Sequence, residues 1–269
     1  MPTLTVPARF CGPPGSANGG WLAGTLAALV DAPASRVRLR RPVPLERPLD
    51  VRTDGGAELS DGAELLARAE PAPLQLDVPP PPSRAEAAAA VAALPAWDDH
   101  PFPRCWGCGT QRPPGEGLRT RVGPLPGRPG LWAGVWRPTG DLPASGDVAA
   151  PETVWAALDC PSFMPLTGRT TGPNVLGTIT ARQDRPVRLG VEHVLLAWVL
   201  ERDGRRSTTA SALVGPDGEV RRGLGRSGSR CRRRAGEAQS MASPWTCPDG
   251  GSDWRTTGRT LRAVSSRPV

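Results

Sequence analysis

Asn18-Gly19-Gly20-Trp21-Leu22-Ala23-Gly24-Thr25-Leu26-Ala27-Ala28-Leu29-Val30 contains no charged residue over thirteen positions. A helix in this stretch must be buried on most of its faces, because a surface helix shows one apolar stripe and a polar remainder. Asn18 has the side chain of a good N-cap, and Asp31 to Ala34, with Pro33, supplies the stop. Upstream, Leu4 to Phe10 alternates and then breaks into the loop cluster Cys11-Gly12-Pro13-Pro14-Gly15-Ser16-Ala17. Downstream, alternating apolar and polar residues predict strands at Arg36–Arg40, Leu49–Arg52, Ala57–Leu59 and Glu64–Arg68, the last pair meeting across Ser60-Asp61-Gly62. One buried helix followed by an antiparallel meander defines an α+β unit over residues 1–70.

The same order recurs further along. Residues 71–103 read as a connector: Pro71 to Pro82 is extended, and Ser83-Arg84-Ala85-Glu86 is a capping-box pattern opening an Ala-rich helix that Pro95 stops. A second unit then spans 104–220. It has expected strands at Leu118–Val122 and Leu131–Trp136 and a helix from Pro151 to Cys160. Further strands are expected at Val175–Arg182, Val194–Glu201 and Ser207–Val214. The first meander ends in a strand, AELLARAE, whereas Gly215-Pro216-Asp217-Gly218 is followed only by Glu219-Val220 and an Arg, Ser and Gly mixture. Residues 221–269 show neither helical nor strand period and read as a disordered Arg-rich tail. The final strand of the second unit is therefore expected to be missing. A shifted reading frame near codon 221 would give such a change, and so would a damaged copy with an unpaired sheet edge.

Charge respects the same division. The net charge of +7 arises in the tail: residues 1–220 hold 22 Arg against 23 acids, and residues 221–269 hold 11 Arg against 3. There is no Lys and no Tyr, a compositional bias that does not by itself imply a nucleic-acid partner. No run of about 18 apolar residues exists to span a membrane, and no leader pattern opens the chain, so the expected location is the cytoplasm. Six scattered cysteines fit thiols better than a disulfide framework. The density of Gly and Pro, 32 and 33 residues, excludes long uninterrupted helices.

Two short stretches carry a family resemblance. Cys105-Trp106-Gly107-Cys108-Gly109, continuing to Gly117-Leu118, is similar to the Cys-x-x-Cys-Gly…Gly-Leu opening of phenylacetyl-CoA-type thioesterases. Asn18-Gly19-Gly20 resembles the His-Gly-Gly that opens the central helix in the same group. With the two helices and meanders, the resemblance to the hotdog superfamily covers roughly residues 4–220. It implies a double hotdog, two antiparallel sheets each wrapping a central helix and combined into one layer, acting on an acyl-CoA without a cofactor.

The resemblance also implies a site. Thioester hydrolysis needs a donor to polarise the carbonyl and a carboxylate to activate water or attack. In the family the donor lies at the helix N-terminus, and the acid lies nine residues after the His. Counted from Asn18, that position is Ala27, so the first unit keeps the glycines and lacks the acid. Counted from Ala150 it is Asp159, so the second unit lacks the glycines and keeps the acid. One composite site is implied, with Asn18, Gly19 and Gly20 binding the thioester and Asp159 as general base or nucleophile. The alternative is structural: the glycines let the helix pack closely against the sheet, and Asp159 is a polar residue near a helix end. A hotdog that binds acyl-CoA without turnover is the functional runner-up, and a homodimer remains open.

Other chemistry is weaker. Cys105-x-x-Cys108 is half a zinc site, but no second Cys-x-x-Cys or His pair accompanies it, and its only cysteine partners in the tail are Cys231 and Cys247, so no metal is expected. His100 and His193 read as satisfied or solvated, and Cys160 as a buried thiol. Arg230-Cys231-Arg232-Arg233-Arg234 is the basis of a competing nucleic-acid reading, but the tail supplies only Trp245 and Trp254 for stacking.

Overall fold

The computed structural model describes residues 2–113, 115–167, 174–203, 206–230, 232–233 and 245–246. Its elements, in chain order, are β1 (Thr3–Thr5), α1 (Gly19–Ala27), β2 (Ala34–Leu39), β3 (Pro48–Arg52), β4 (Ala57–Asp61) and β5 (Glu64–Pro71). They continue with α2 (Arg84–Ala92), β6 (Gly123–Pro124), β7 (Leu131–Trp136), β8 (Ala144–Ser145), β9 (Val148–Ala149) and α3 (Pro151–Phe163). The last long strands are β10 (Asn174–Gln183), β11 (His193–Asp203), β12 (Arg206–Val214) and β13 (Val220–Arg230). Two-residue strands at Arg232–Arg233 and Trp245–Thr246 pair with each other. The fold is a mostly-sheet α+β arrangement.

Eleven strands form one antiparallel sheet in the order β1-β3-β4-β5-β2-β10-β13-β12-β11-β7-β6. The order contains a repeat. In the first half a strand precedes α1, the strand after α1 lies at the seam, and the meander β3-β4-β5 returns to pair with it. In the second half β7 precedes α3, β10 takes the seam, and β11-β12-β13 returns to pair with β10. The halves join where Ile179 faces Val37 across β10 and β2.

The strand expected to be missing is present. β13 pairs with β12 on one side and β10 on the other, the place that β5 holds in the first half. Its sequence, Val-Arg-Arg-Gly-Leu-Gly-Arg-Ser-Gly-Ser-Arg, has low strand propensity, but a central position with two partners satisfies its backbone groups and overrides that preference. The disordered tail expected from residue 221 is thus corrected for 221–230. Cys231, Arg234 and most later positions, Cys247 and Trp254 included, lie outside the described residues.

Burial explains the elements. α1 turns Trp21, Leu22, Ala23 and Leu26 into the main core, and burying each large side chain contributes roughly 1.5–3 kcal/mol. α3 is buried from Thr153 to Phe163 and passes through Pro161 instead of ending before it. Pro161 stands in the last turn, where the lost N–H costs one bond and the burial of Ser162 and Phe163 holds the turn in place. β11 is buried on both faces: Leu195 and Ala197 face the helices, while Val194, Leu196 and Trp198 face a second core. That double burial accounts for the continuous apolar run Val194–Val199.

Residues 71–103, read as a connector, also supply part of a second core. Leu74 and Leu76 pack with Ala87 and Ala90 of α2 over the outer face of the second-half sheet, against Ala133, Leu196 and Ala212. The Ser83–Glu86 capping box is formed on both sides. The stretch Leu118–Val122 is no strand; its amides at Leu118 and Thr120 bond instead to Trp106 and Gly107 carbonyls.

Candidate active site

The two helices that the halves contribute lie directly against each other. Gly20 approaches Asp159 and Ala156, and Gly24 approaches Glu152 and Trp155, so the helices run antiparallel. A Cβ on Gly20 would lie 2.8 Å from the Ala156 Cα, and one on Gly24 would lie 2.4 Å from the Glu152 Cα. Both glycines are needed for this approach to the second helix, whereas Gly19 lies against Leu39 and Leu176 of the sheet.

This contact brings the sequence-selected residues together. Asp159 Oδ2 accepts a 3.0 Å hydrogen bond from the Gly20 N–H, in a buried setting. Asn18 caps α1, its Oδ1 accepting from the Trp21 N–H at 2.9 Å. Gly20 and Trp21 therefore have partners for their amides. For the half-exposed Gly19, no amide partner is found among the described residues. Half-buried Leu39 and Leu176 lie beside Gly19, so the open end of α1 has an apolar wall. A helix N-terminus with a free amide favours a developing negative charge. Of the two glycines, Gly20 bonds the Asp159 carboxylate, and the Gly19 amide has no partner among the described residues.

Behind this contact lies a cluster that sequence spacing missed. The Sγ atoms of Cys105, Cys108 and Cys160, all buried, lie within 4.8 Å of one another. Cys105 and Cys160 are 3.8 Å apart. The Asn18 Nδ2 group faces both, at 3.5 Å from Cys105 and 3.9 Å from Cys160. Donation from the Cys108 and Cys160 thiols, with the Cys108 and Gly107 amides assisting, holds the Cys105 thiol well below its ordinary value despite burial. The same arrangement, led by the bond to Cys105, pushes Cys108 and Cys160 well up. Cys160 comes from α3, 55 residues beyond Cys105, so no local motif could have joined it to the pair.

The remaining candidates do not join the site. His100 accepts from the Phe102 N–H at 2.9 Å, and His193 pairs with the Val191 carbonyl at 2.8 Å; burial lowers both pKa values. A cavity of about 590 Å³ is lined in part by Arg9, Cys11, Leu45, Phe102, Arg104 and Arg112, and none of Asn18, Gly19, Gly20 or Asp159 belongs to its wall. Arg222, expected in the tail, is buried on β13 with its guanidinium over Trp155 and a 3.4 Å contact to the Pro151 carbonyl. Burial depresses its pKa to about 9.

Comparison with solved structures finds chains of similar fold. The chain is similar to a TesB protein of Mycobacterium avium subsp. paratuberculosis, at 14% identity and a TM-score of 0.53, over 84% of this chain and 90% of that one. It is also similar to a candidate thioesterase II of Thermobifida fusca, at 14% and 0.52 over 87% and 93%. A candidate thioesterase of Novosphingobium aromaticivorans matches at 15% and 0.52 over 85% and 94%. At these identities the likeness shows the fold alone, which this chain shares with those structures over most of its length. No protein-family model matches the chain, and no curated protein does.

Proposed function

We propose that the chain is a double hotdog, with its units at 1–70 and from 104 onward, that hydrolyses an acyl-CoA thioester at one composite site. The observation that carries this reading is the Gly20 N–H to Asp159 hydrogen bond, which joins the helix start of one half to the acid of the other. The strand order, in which each half repeats the other's path around its helix, supports the division into two units.

The chemistry rests on the donors. The thioester carbonyl takes the Gly19 N–H, with its acyl chain along Leu39 and Leu176. Asp159, oriented by Gly20, removes a proton from water as the water oxygen attacks the carbonyl carbon. The tetrahedral oxyanion is stabilised at the α1 N-terminus, and its collapse breaks the C–S bond and releases the CoA thiolate, which takes up the proton. Asn18 serves as the cap that fixes the helix start, a role that needs no imidazole.

A second reading has its own support. Asp159 is only 6% exposed and Gly20 is already bonded to it, an arrangement that also suits a site that binds acyl-CoA without cleaving it. No described helix is long and apolar enough to cross a membrane, and four described cysteines are free thiols, which fits a reducing, cytoplasmic setting. The Arg230–Arg234 cluster lies mostly outside the described residues. CoA release above a no-enzyme control, across short, branched and aromatic acyl-CoAs, separates the readings. Turnover of any of them supports hydrolysis, saturable binding with no release supports the ligand-binding alternative, and neither outcome would defeat both.

A further inference from the structure

The geometry points to a zinc site built from the Sγ atoms of Cys105, Cys108 and Cys160, which ties the Cys105–Cys108 turn to α3 beside Asp159. The spacing fits the ion. Thiolates bound tetrahedrally at about 2.3 Å from zinc stand roughly 3.8 Å from one another, and Cys105 and Cys160 are 3.8 Å apart with Cys108 inside the same cluster.

The turn is shaped for a sulfur anion. The Cys105 N–H bonds to the Phe102 carbonyl and the Gly109 N–H returns to the Cys105 carbonyl at 2.8 Å, closing the Cys-x-x-Cys-Gly segment on itself. That closure directs the Gly107 and Cys108 amides at the Cys105 sulfur. Gly109 has no room for a side chain, since a Cβ would lie 2.5 Å from the Cys105 carbonyl oxygen. Gly107 likewise excludes one, a Cβ there falling 2.5 Å from the Cys160 sulfur. With the Asn18 amide facing Cys105 and Cys160, the donors around the cluster are those that orient and stabilise metal-bound thiolates. Simple thiol packing requires none of this.

The charge balance is explicit. Zinc binding displaces the thiol protons to solvent, and three thiolates with one Zn²⁺ leave a net single negative charge facing the Asn18, Gly107 and Cys108 N–H donors. The fourth tetrahedral position is left to water or a small anion. The inference stands apart from the thioester reading, since metal content is measured without any substrate.

The test uses the full chain with Cys231→Ser and Cys247→Ser, so that tail thiols do not contribute. After growth with zinc and purification without chelator, elemental analysis should find about one zinc per chain. Cobalt substitution should give an intense thiolate-to-cobalt charge-transfer band. Alkylation with peptide mapping should find Cys105, Cys108 and Cys160 protected by zinc and Cys11 reactive. Cys160→Ser should lose the metal while Cys11→Ser keeps it. If Cys160→Ser does not fold, the cobalt band and the alkylation map of the parent chain decide. A folded parent chain with no zinc and no cobalt band, or a Cys105–Cys160 disulfide in its place, would overturn the inference.

Discussion

Gly24→Ala tests the close contact of the two helices without touching Asp159. The added Cβ would stand 2.4 Å from the Glu152 Cα and 2.9 Å from the Trp155 Cβ, the first of these being backbone that no side-chain rotation can move. Restoring an ordinary contact of about 3.4 Å requires α1 and α3 to part by roughly 1 Å, and overpacking of this kind costs about 1–3 kcal/mol. Alanine returns up to about 1 kcal/mol through its higher helix propensity. The net loss is then up to about 2 kcal/mol, or a Tm lowered by up to roughly 8 °C in a chain of this size. Gly140→Ala is the control, because a Cβ there meets nothing within 4 Å and its backbone is unstrained. Calorimetry or thermal circular dichroism should find Gly24→Ala destabilised and Gly140→Ala neutral. Equal Tm values for the two variants would mean that the helices have slack, and the reasoning that joins the halves through this contact would fail.

The same structure implies three further outcomes. Arg222→Met should stabilise the chain by about 1–4 kcal/mol in urea denaturation, because the desolvation of the buried guanidinium outweighs the pull of Asp184 and Glu152, with which it forms no salt bridge among the described residues; a loss of stability would assign it a structural bond. Truncation after Val220 should give insoluble protein, since it removes β13 from between β10 and β12, whereas truncation after Arg230 should stay soluble; equal solubility would deny β13 its place. Burial holds His100 and His193 below the unfolded value of 6.5, so the unfolded chain binds more protons there and stability should fall as pH drops through 6.5. The double variant His100→Asn, His193→Gln should flatten that slope, and an unchanged slope would place the acid sensitivity elsewhere.

Local chemistry made much of this fold legible. Asn18 and the Ser83–Glu86 box mark helix starts because capping depends only on neighbouring residues. The alternation at Leu49–Arg52 and Leu131–Trp136 gave strands at their observed places. What escaped depends on distant partners. β13 has the composition of a loop and is held by strands on both sides. Leu74 and Leu76, in a Pro-rich stretch, owe their burial to a sheet face formed by later strands. In the candidate site, Asp159 and Gly20, picked out from different halves of the chain, are hydrogen-bonded to each other. That Gly20 is bonded while the Gly19 amide has no partner among the described residues was not legible, since it depends on how the helices pack. Cys160 was likewise read as an isolated thiol because its partners come from another loop.

The central claim is that Asp159, held by Gly20, activates water for thioester cleavage. Its most direct test is kcat/KM for acyl-CoA hydrolysis by the Asp159→Asn variant, with near-UV circular dichroism and Tm as the check that the helix contact survives. Asparagine keeps an oxygen for the Gly20 N–H and loses the base, so the account predicts a fall of about 10²–10⁴-fold with the fold intact. Turnover equal to that of the parent chain would contradict it and remove Asp159 from the mechanism.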